Sequence, residues 1–385
     1  MTVTLPVRRY LDNAAASWPK PPEVDAAWEQ AGRTNGAAAG RAGYREAVAA
    51  DAIRQRCRAA AARLLGGVDP ERVAFPAGAT LGLNMAIHGL LVAGDHVIAT
   101  AADHNATLRP LHWLVSRGVI TVTVVPCDAM GRVDPAAVAD AWQPTTRLVT
   151  CSHASNVTGA VQDIEAIGRI AHDRGGLFLL DAAQSLGQLP WTGSAGTADI
   201  VVVPAHKWLL APSGAGILWV RQGIDLVPLV QGGTGSASDS LSMPDRFIDQ
   251  MEPGTPDLPA LAGLLAALLW LENHSIDTIG RRCRELAATT AAALTDIQGV
   301  RVIGNSAHAI AAPIVSFTVE GYDPAEVSAL LEQLAGVQVR SGFHCAACVH
   351  AQLGTQVGGT VRASFGPFNT SGDVEALVAA VQKLR

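Results

Sequence analysis

The stretch DIVVVPAHKWLLAPSGAGILWVR, residues 199–221, decides the fold class. Ile200 to Val203 form an unbroken apolar run that leads through Pro204 to His206 and Lys207, and a second run, Ile217 to Val220, follows a Pro-Ser-Gly turn. Neither run alternates with polar residues, so neither leaves a wet face; short continuous runs of this kind mark strands buried on both sides. Similar runs stand upstream: RVAF (72–75), HVIAT (96–100), VITVTVV (119–125), RLVTCSH (147–153) and LFLLDAA (177–183). Helical patterns at 105–117, 134–142 and 163–174 separate them. Strands that alternate with helices predict an α/β fold whose mostly parallel, seven-stranded sheet is covered on both faces.

After a Gly/Ser-rich loop at 231–244 the pattern changes. Two Ala/Leu-rich helices fill about 259–297. Short runs VRVIG, PIVSFTVEG, VQVRSG and TVRASFG then alternate with helices at 324–335 and 371–384, as in a small α+β layer. The expected division is a large domain over 21–258 and a smaller α+β C-terminal domain over 259–385.

Composition narrows the task. With 49% apolar and 16% charged residues the chain is expected to fold, and a net charge of −6 argues against nucleic acid as a partner. The N-terminus lacks the basic-then-apolar order of a signal peptide, and the longest apolar run, Leu258 to Leu271, is shorter than the roughly 18 residues of a membrane span. The expectation is a cytoplasmic protein without membrane contact. Six scattered cysteines then read as reduced thiols.

In parallel sheets ligands bind beyond the carboxyl ends of the strands. Lys207 stands at such an end among Trp208, Leu209 and Leu210, where desolvation lowers an amine's pKa as Schiff-base chemistry requires; an arbitrary lysine would instead reach for solvent. Asp181 ends LFLLD, where a carboxylate needs a cation or a helix to cap, and Gln184 adds a polar group at the same mouth. In AFPAGATLGLNMAI, a strand, a Gly turn and a helix start leave the N–H groups around Gly78, Ala79 and Thr80 free for a phosphate, without the GK[ST] of a nucleotide loop. A lysine, an acid for a ring nitrogen and a phosphate-binding helix start together point to pyridoxal 5′-phosphate.

At this point the motifs YLDNAAASWPKPPEV, AGATLGLNMAI, ADHNA, SHASNVTG, LLDAAQS, AHKW, MEPGTPD, VRSGFHCA and TVRASFGPFNT make a resemblance plain. Over nearly its whole length the chain resembles the cysteine desulfurase and selenocysteine lyase group of the class V aminotransferases, enzymes of pyridoxal phosphate fold type I, and EPGTPD is most similar to one less characterised branch. The resemblance implies that Lys207 holds the cofactor and shuttles a proton, that Asp181 pairs with the ring nitrogen and that Gln184 faces the ring hydroxyl. It implies His104 stacked on the ring, where the residues alone also allow a helix cap, and Asn156 beside the ring hydroxyl and the substrate carboxylate. Arg362 is implied as the grip on that carboxylate. Ala79, Thr80 and His206 are implied as phosphate ligands, with Thr234 reaching in from the other subunit of a homodimer, and residues 1–20 as a segment packed near the active site. One departure stands out: the Ser or Thr usual three residues before the lysine is Pro204 here, which implies either a lower cofactor affinity or compensation by Ser213 or Ser236.

The segment HCAACVH, residues 344–350, supplies the last component. RSGFHCA resembles the segment around the family's nucleophile, which implies Cys345 as the thiol that takes sulfur from L-cysteine, leaving L-alanine and a persulfide for an acceptor, a sulfur-acceptor protein included. Cys57, Cys151 and Cys283 read as buried core. Cys348 is a departure, open to a role in resolving the persulfide, a regulatory disulfide or simple space filling. Selenocysteine lyase or another C–S lyase remains an alternative, because a fold does not fix a substrate. A zinc or redox module built from His344, Cys345, Cys348 and His350 is the other; four ligands crowd into seven residues there, whereas structural zinc sites join separated pairs. No metal is expected.

Overall fold

Continuous apolar runs become buried strands. Strands β1 (Arg9–Tyr10), β2 (Val73–Ala74), β3 (His96–Thr100), β4 (Thr121–Val125), β5 (Thr146–Ser152), β6 (Leu177–Asp181), β7 (Ile200–Pro204) and β8 (Gly216–Val220) occupy the first part of the chain. Seven of them form one sheet in the order β2-β8-β7-β6-β5-β3-β4. Strands β3 to β7 run parallel, and β8 pairs antiparallel with β7 and β2. Every residue of β3, β7 and β8 is buried, as continuous runs require, whereas edge strand β4 exposes part of its length. The structure, a computed structural model, describes residues 7–34, 39–40, 42–191, 196–304 and 311–385. Residues 1–6 of the N-terminal segment lie outside them.

Two strands are shorter than their sequence patterns. In RVAF, Arg72 ends a 3-10 turn, and the Phe75 N–H is taken by Glu252 Oε1 at 2.8 Å, so only Val73 and Ala74 join the sheet. In VITVTVV the strand begins at Thr121 because Val119 and Ile120 close the turn after the preceding helix.

Helices α1 (Pro22–Thr34), α2 (Arg45–Leu64), α3 (Ala79–Leu90), α4 (Asn105–Ser116), α5 (Pro135–Asp140), α6 (Ile164–Asp173), α7 (Phe247–Met251), α8 (Leu258–His274) and α9 (Ile276–Thr295) flank this sheet or lead out of it. Asp134, Asp163 and Asp257 each cap a helix start through a side-chain oxygen. The apolar run that forms α8 is buried, packed against α1 and α2, and among the described residues no helix is long and apolar enough to cross a membrane.

The rest of the chain forms a second sheet from β9 (Val300–Ile303), β10 (Ile314–Val319), β12 (Arg340–Gly342) and β13 (Thr360–Ser364), antiparallel in the order β12-β13-β10-β9. Helices α10 (Pro324–Ala335), α11 (Ala347–Gln352) and α12 (Ser371–Gln382) accompany it. A capping box of Asp323 and Glu326 starts α10, and Gly336 in the left-handed region stops it. β1 pairs in parallel with β11 (Val337–Gln338), and Asp12 bridges to Ser364. The first described residues are therefore stitched to the last sheet before the chain crosses to the first.

Candidate active site

The carboxyl ends of β3, β5, β6 and β7 open into one cavity of about 630 Å³. Its wall brings together His104, Asn156, Asp181, Gln184, His206 and Lys207 from the large sheet with Arg362 from β13 and Ala14 from the N-terminal segment. The start of α3 contributes Gly78, Ala79 and Thr80.

Burial sets the electrostatics. Lys207, just past β7, is held down to about 8, chiefly by desolvation and by the cations Arg362 and Arg340, against the pull of Asp181. Burial pushes Asp181 up to about 6 even though Lys207 and the Ala183 N–H, 2.9 Å from Oδ1, favour its charged form. A lysine of lowered pKa and an acid of raised pKa face one cavity. A ligand bearing a cationic ring nitrogen would return Asp181 to the carboxylate form.

His104 has two duties. Its Nδ1 accepts the Ala106 N–H at 3.0 Å and caps α4, so the ring proton resides on Nε2. Burial and the nearby cations hold it down to about 4, which keeps the imidazole neutral. The helix cap is observed, and the same ring also lines the cavity. Asp103, which sequence reasoning passed over, fixes the strand end behind it by accepting from Thr100 N (2.9 Å), Thr150 Oγ1 (2.9 Å) and Ser152 N (2.6 Å). It ties β3 to β5, and only the motif ADHNA hinted at it.

Helix α3 starts without a capping side chain or an acid in its first turn, so its free N–H groups face the cavity. Gly78 precedes it at φ 145°. Gly216 lets β8 come close behind, since a Cβ there would lie 2.8 Å from the Gly78 carbonyl carbon. Uncapped donors, a lysine of lowered pKa, an acid and an arginine fit a pyridoxal phosphate; the donors match its phosphate and the acid its ring nitrogen.

Arg362 is buried and largely committed: Nη1 donates to Asn156 O (2.9 Å) and Nη2 to Asp12 Oδ1 (2.8 Å), while Nε has no partner. Asn156 Nδ2 donates to His344 O at 2.6 Å. Both ends of the Gln184 amide are engaged, by Ala14 O and by Trp208 Nε1. Half-buried His206 is held down to about 4 by burial, Lys207 and Lys20.

Some expected residues fall elsewhere. Pro204 lines the cavity, but neither Ser213 nor Ser236 does, and Ser236 Oγ donates to Asp249 at 2.8 Å. Within one chain the absent hydroxyl is therefore replaced by neither serine. Half-buried Thr234 lies in the 231–244 loop, outside the cavity of its own chain.

Cys345 lines an adjoining outer cavity of about 700 Å³, which shares Thr80, Asn84, His104 and Ala106 with the inner one. Arg340, another residue that sequence reasoning missed, lines the inner cavity and reaches Cys345 Sγ with Nη2 at 3.7 Å. His344 and Cys345 both take left-handed backbone, φ 50° and 59°. Asn156 Nδ2 on the first carbonyl and Asn105 N on the second, at 2.8 Å, hold this costly pair. Cys348 is exposed and lines neither cavity.

The other four cysteines are buried, and burial pushes their thiols up, Cys127 to about 11 and Cys283 to about 12. His344 Nε2 meets Thr360, and His350 is bound to Thr355 and Phe343. Among the described residues no group of three or more His, Cys, Asp and Glu side chains is gathered as a metal ion would need.

Comparison with known proteins gives a consistent picture. The family model for aminotransferase class V matches residues 9–377. A probable cysteine desulfurase of Methanothermobacter thermautotrophicus is 34% identical over 382 residues, which span 97% of this chain and 94% of that protein. The cysteine desulfurase CsdA of Escherichia coli is 30% identical, over 97% of this chain and 93% of its own. Among solved structures, an apo cysteine desulfurase from Thermococcus onnurineus superposes with a TM-score of 0.90 at 28% identity, covering 97% and 94% of the two chains. E. coli CsdA in its S-sulfonic acid form gives 0.86 at 29% identity over the same shares.

Proposed function

The chain belongs to the class V aminotransferase family, and from that footing we propose that it is a pyridoxal 5′-phosphate-dependent cysteine desulfurase, converting L-cysteine to L-alanine and collecting the sulfur on Cys345. One observation carries the reading: Lys207, its pKa lowered by burial, shares a cavity with Asp181, Arg362 and an uncapped helix start, while Cys345 lies in the wall next door.

The residues take these parts. The N–H groups at the start of α3, with Thr80 and His206, hold the phosphate, and Asp181 opposes the ring nitrogen. The cofactor, when bound through Lys207, supplies an electron sink for the substrate's α-carbon. Arg362 offers its unpartnered Nε–H to the substrate carboxylate, and Asn156, bonded to Arg362 through its carbonyl, keeps the guanidinium in place. Neutral His104 covers the cavity without adding charge. Lys207 Nζ, once released, accepts the α-proton, which its lowered pKa allows near neutral pH.

Cys345 thiolate then attacks the substrate sulfur. A sulfur–sulfur bond forms and the carbon–sulfur bond breaks. The electron pair stays with the carbon skeleton, which takes up one proton at the β-carbon, regains one from Lys207 at the α-carbon and leaves as alanine. Arg340 supplies positive charge beside the sulfur during this step. The half-reaction needs no outside oxidant or reductant.

Three further parts belong to the same reading: a division into residues 1–20, 21–258 and 259–385; a homodimer in which Thr234 completes the phosphate site of the other protomer; and a cytoplasmic location. The position of Thr234 outside the cavity of its own chain supports the second. The test is a product assay on protein reconstituted with cofactor, with a dithiol present to reduce the persulfide: alanine and sulfide in equal amounts from L-cysteine, lost in Lys207→Ala. Reconstituted wild type that forms no alanine overturns the proposal.

A further inference from the structure

The outer cavity has an architecture of its own. Along α3, Thr80, Asn84 and His88 stand at four-residue steps, and along α4, which packs against it, Asn105, Arg109 and Trp113 do the same. Residues spaced by four lie on one helix face, so two stripes of polar and aromatic groups confront each other. Eight residues at 1.5 Å each give a trough of about 12 Å. Thr80 and His104 join its inner end to the cofactor cavity, and the His88 and Trp113 rings meet edge to face at 5.5 Å at the outer end. Cys345 lies in its wall.

The lining contains no aspartate or glutamate, and burial keeps His88 and His104 neutral. Exposed Arg109 is its only charged side chain among the described residues. A concave site of about 700 Å³ is the size of a small-molecule pocket, far from the flat expanse that a protein partner buries.

Building on the desulfurase reading above, we propose that this trough binds the sulfur acceptor, and that the acceptor is a low-molecular-weight thiol of peptide size whose carboxylate pairs with Arg109. Its thiolate attacks the outer sulfur of the Cys345 persulfide. The bond between the two persulfide sulfurs breaks, a new one forms on the acceptor, and the electron pair returns to Cys345 Sγ as thiolate. Nothing is oxidised or reduced overall.

The test uses the holoenzyme at saturating L-cysteine with either glutathione, which carries carboxylates, or uncharged 2-mercaptoethanol as the varied acceptor. Arg109→Gln is expected to raise the glutathione KM roughly three- to ten-fold and to leave the 2-mercaptoethanol KM in place, and Arg109→Lys to recover most of the loss. Equal shifts for both thiols, or none for glutathione, overturn the assignment. Alanine from a single turnover without added thiol is scored in the same samples. Its absence in wild type removes the desulfurase reading and the acceptor site with it, whereas its presence with a flat glutathione KM removes the acceptor site alone.

Discussion

Arg362 Nη2 donates a 2.8 Å hydrogen bond to Asp12 Oδ1 across 350 positions of chain. The guanidinium is buried, whereas the Asp12 side chain is 21% exposed. The arginine expected to grip a substrate carboxylate thus already holds a carboxylate of its own chain. A buried cation needs such a partner, and the same partner restrains its affinity for a second anion.

Asp12→Asn is accordingly expected to act in two directions. Chemical denaturation should show a loss of about 2–3 kcal/mol, below the usual cost of breaking a fully buried pair because Asp12 reaches solvent. The KM for cysteine should fall, because Nη2 then faces a neutral amide oxygen in place of a competing carboxylate. A variant with wild-type stability and KM would mean that the pair is idle.

The rate at which Lys207 captures cofactor should rise with pH and level off above an inflection near 8, following the neutral amine. A folded-state pKa below the unfolded value also means that the cofactor-free protein gains stability as pH rises from about 8 toward 10.5, where only the unfolded chain still binds the proton. Absorbance-monitored reconstitution measures the first; an inflection near the ordinary lysine value would show that burial does not govern the amine.

Gly216→Ala places a methyl group against the Gly78 carbonyl carbon. Displacing that turn moves the start of α3, so cofactor affinity should weaken by roughly ten-fold or more while the seven-stranded sheet persists. Titration of apoprotein with cofactor, beside a circular dichroism spectrum, separates the two effects. Unchanged affinity would remove the α3 start from the phosphate site.

Cys345→Ser should abolish alanine formation, and Cys348→Ser should retain most of it, since Cys348 lines neither cavity. Mass spectrometry after one turnover should find the extra sulfur on Cys345. Equal loss in both variants would make the pair a C-x-x-C unit.

What was readable followed the range of the forces involved. The strands of the large sheet were legible because burial on both faces writes an unbroken apolar run into local sequence. Lys207 and Asp181 were legible because each stands at the end of such a run. Asp12, Arg340 and Asp103 were not, since each takes its meaning from a partner that only the fold brings near: Arg362, Cys345, and the Thr100, Thr150 and Ser152 donors. His104 was read with two rival roles because sequence shows one ring, while the fold gives its two nitrogens different surroundings. Whether a serine stands in for the missing hydroxyl at Pro204 was not legible, as loop serines carry no local sign of where they point.

The parallel pairing of Arg9 with Val337 sets an order of events during synthesis. A ribosome delivers the first strand early, yet that strand has no partner until most of the chain has emerged. Ala14, Asp12 and their contacts with β13 must wait as well. The large sheet can assemble on the nascent chain, but the pocket stays open on one side until the last tenth of the protein is made, so a truncated product would keep its lysine and have no means to retain the substrate.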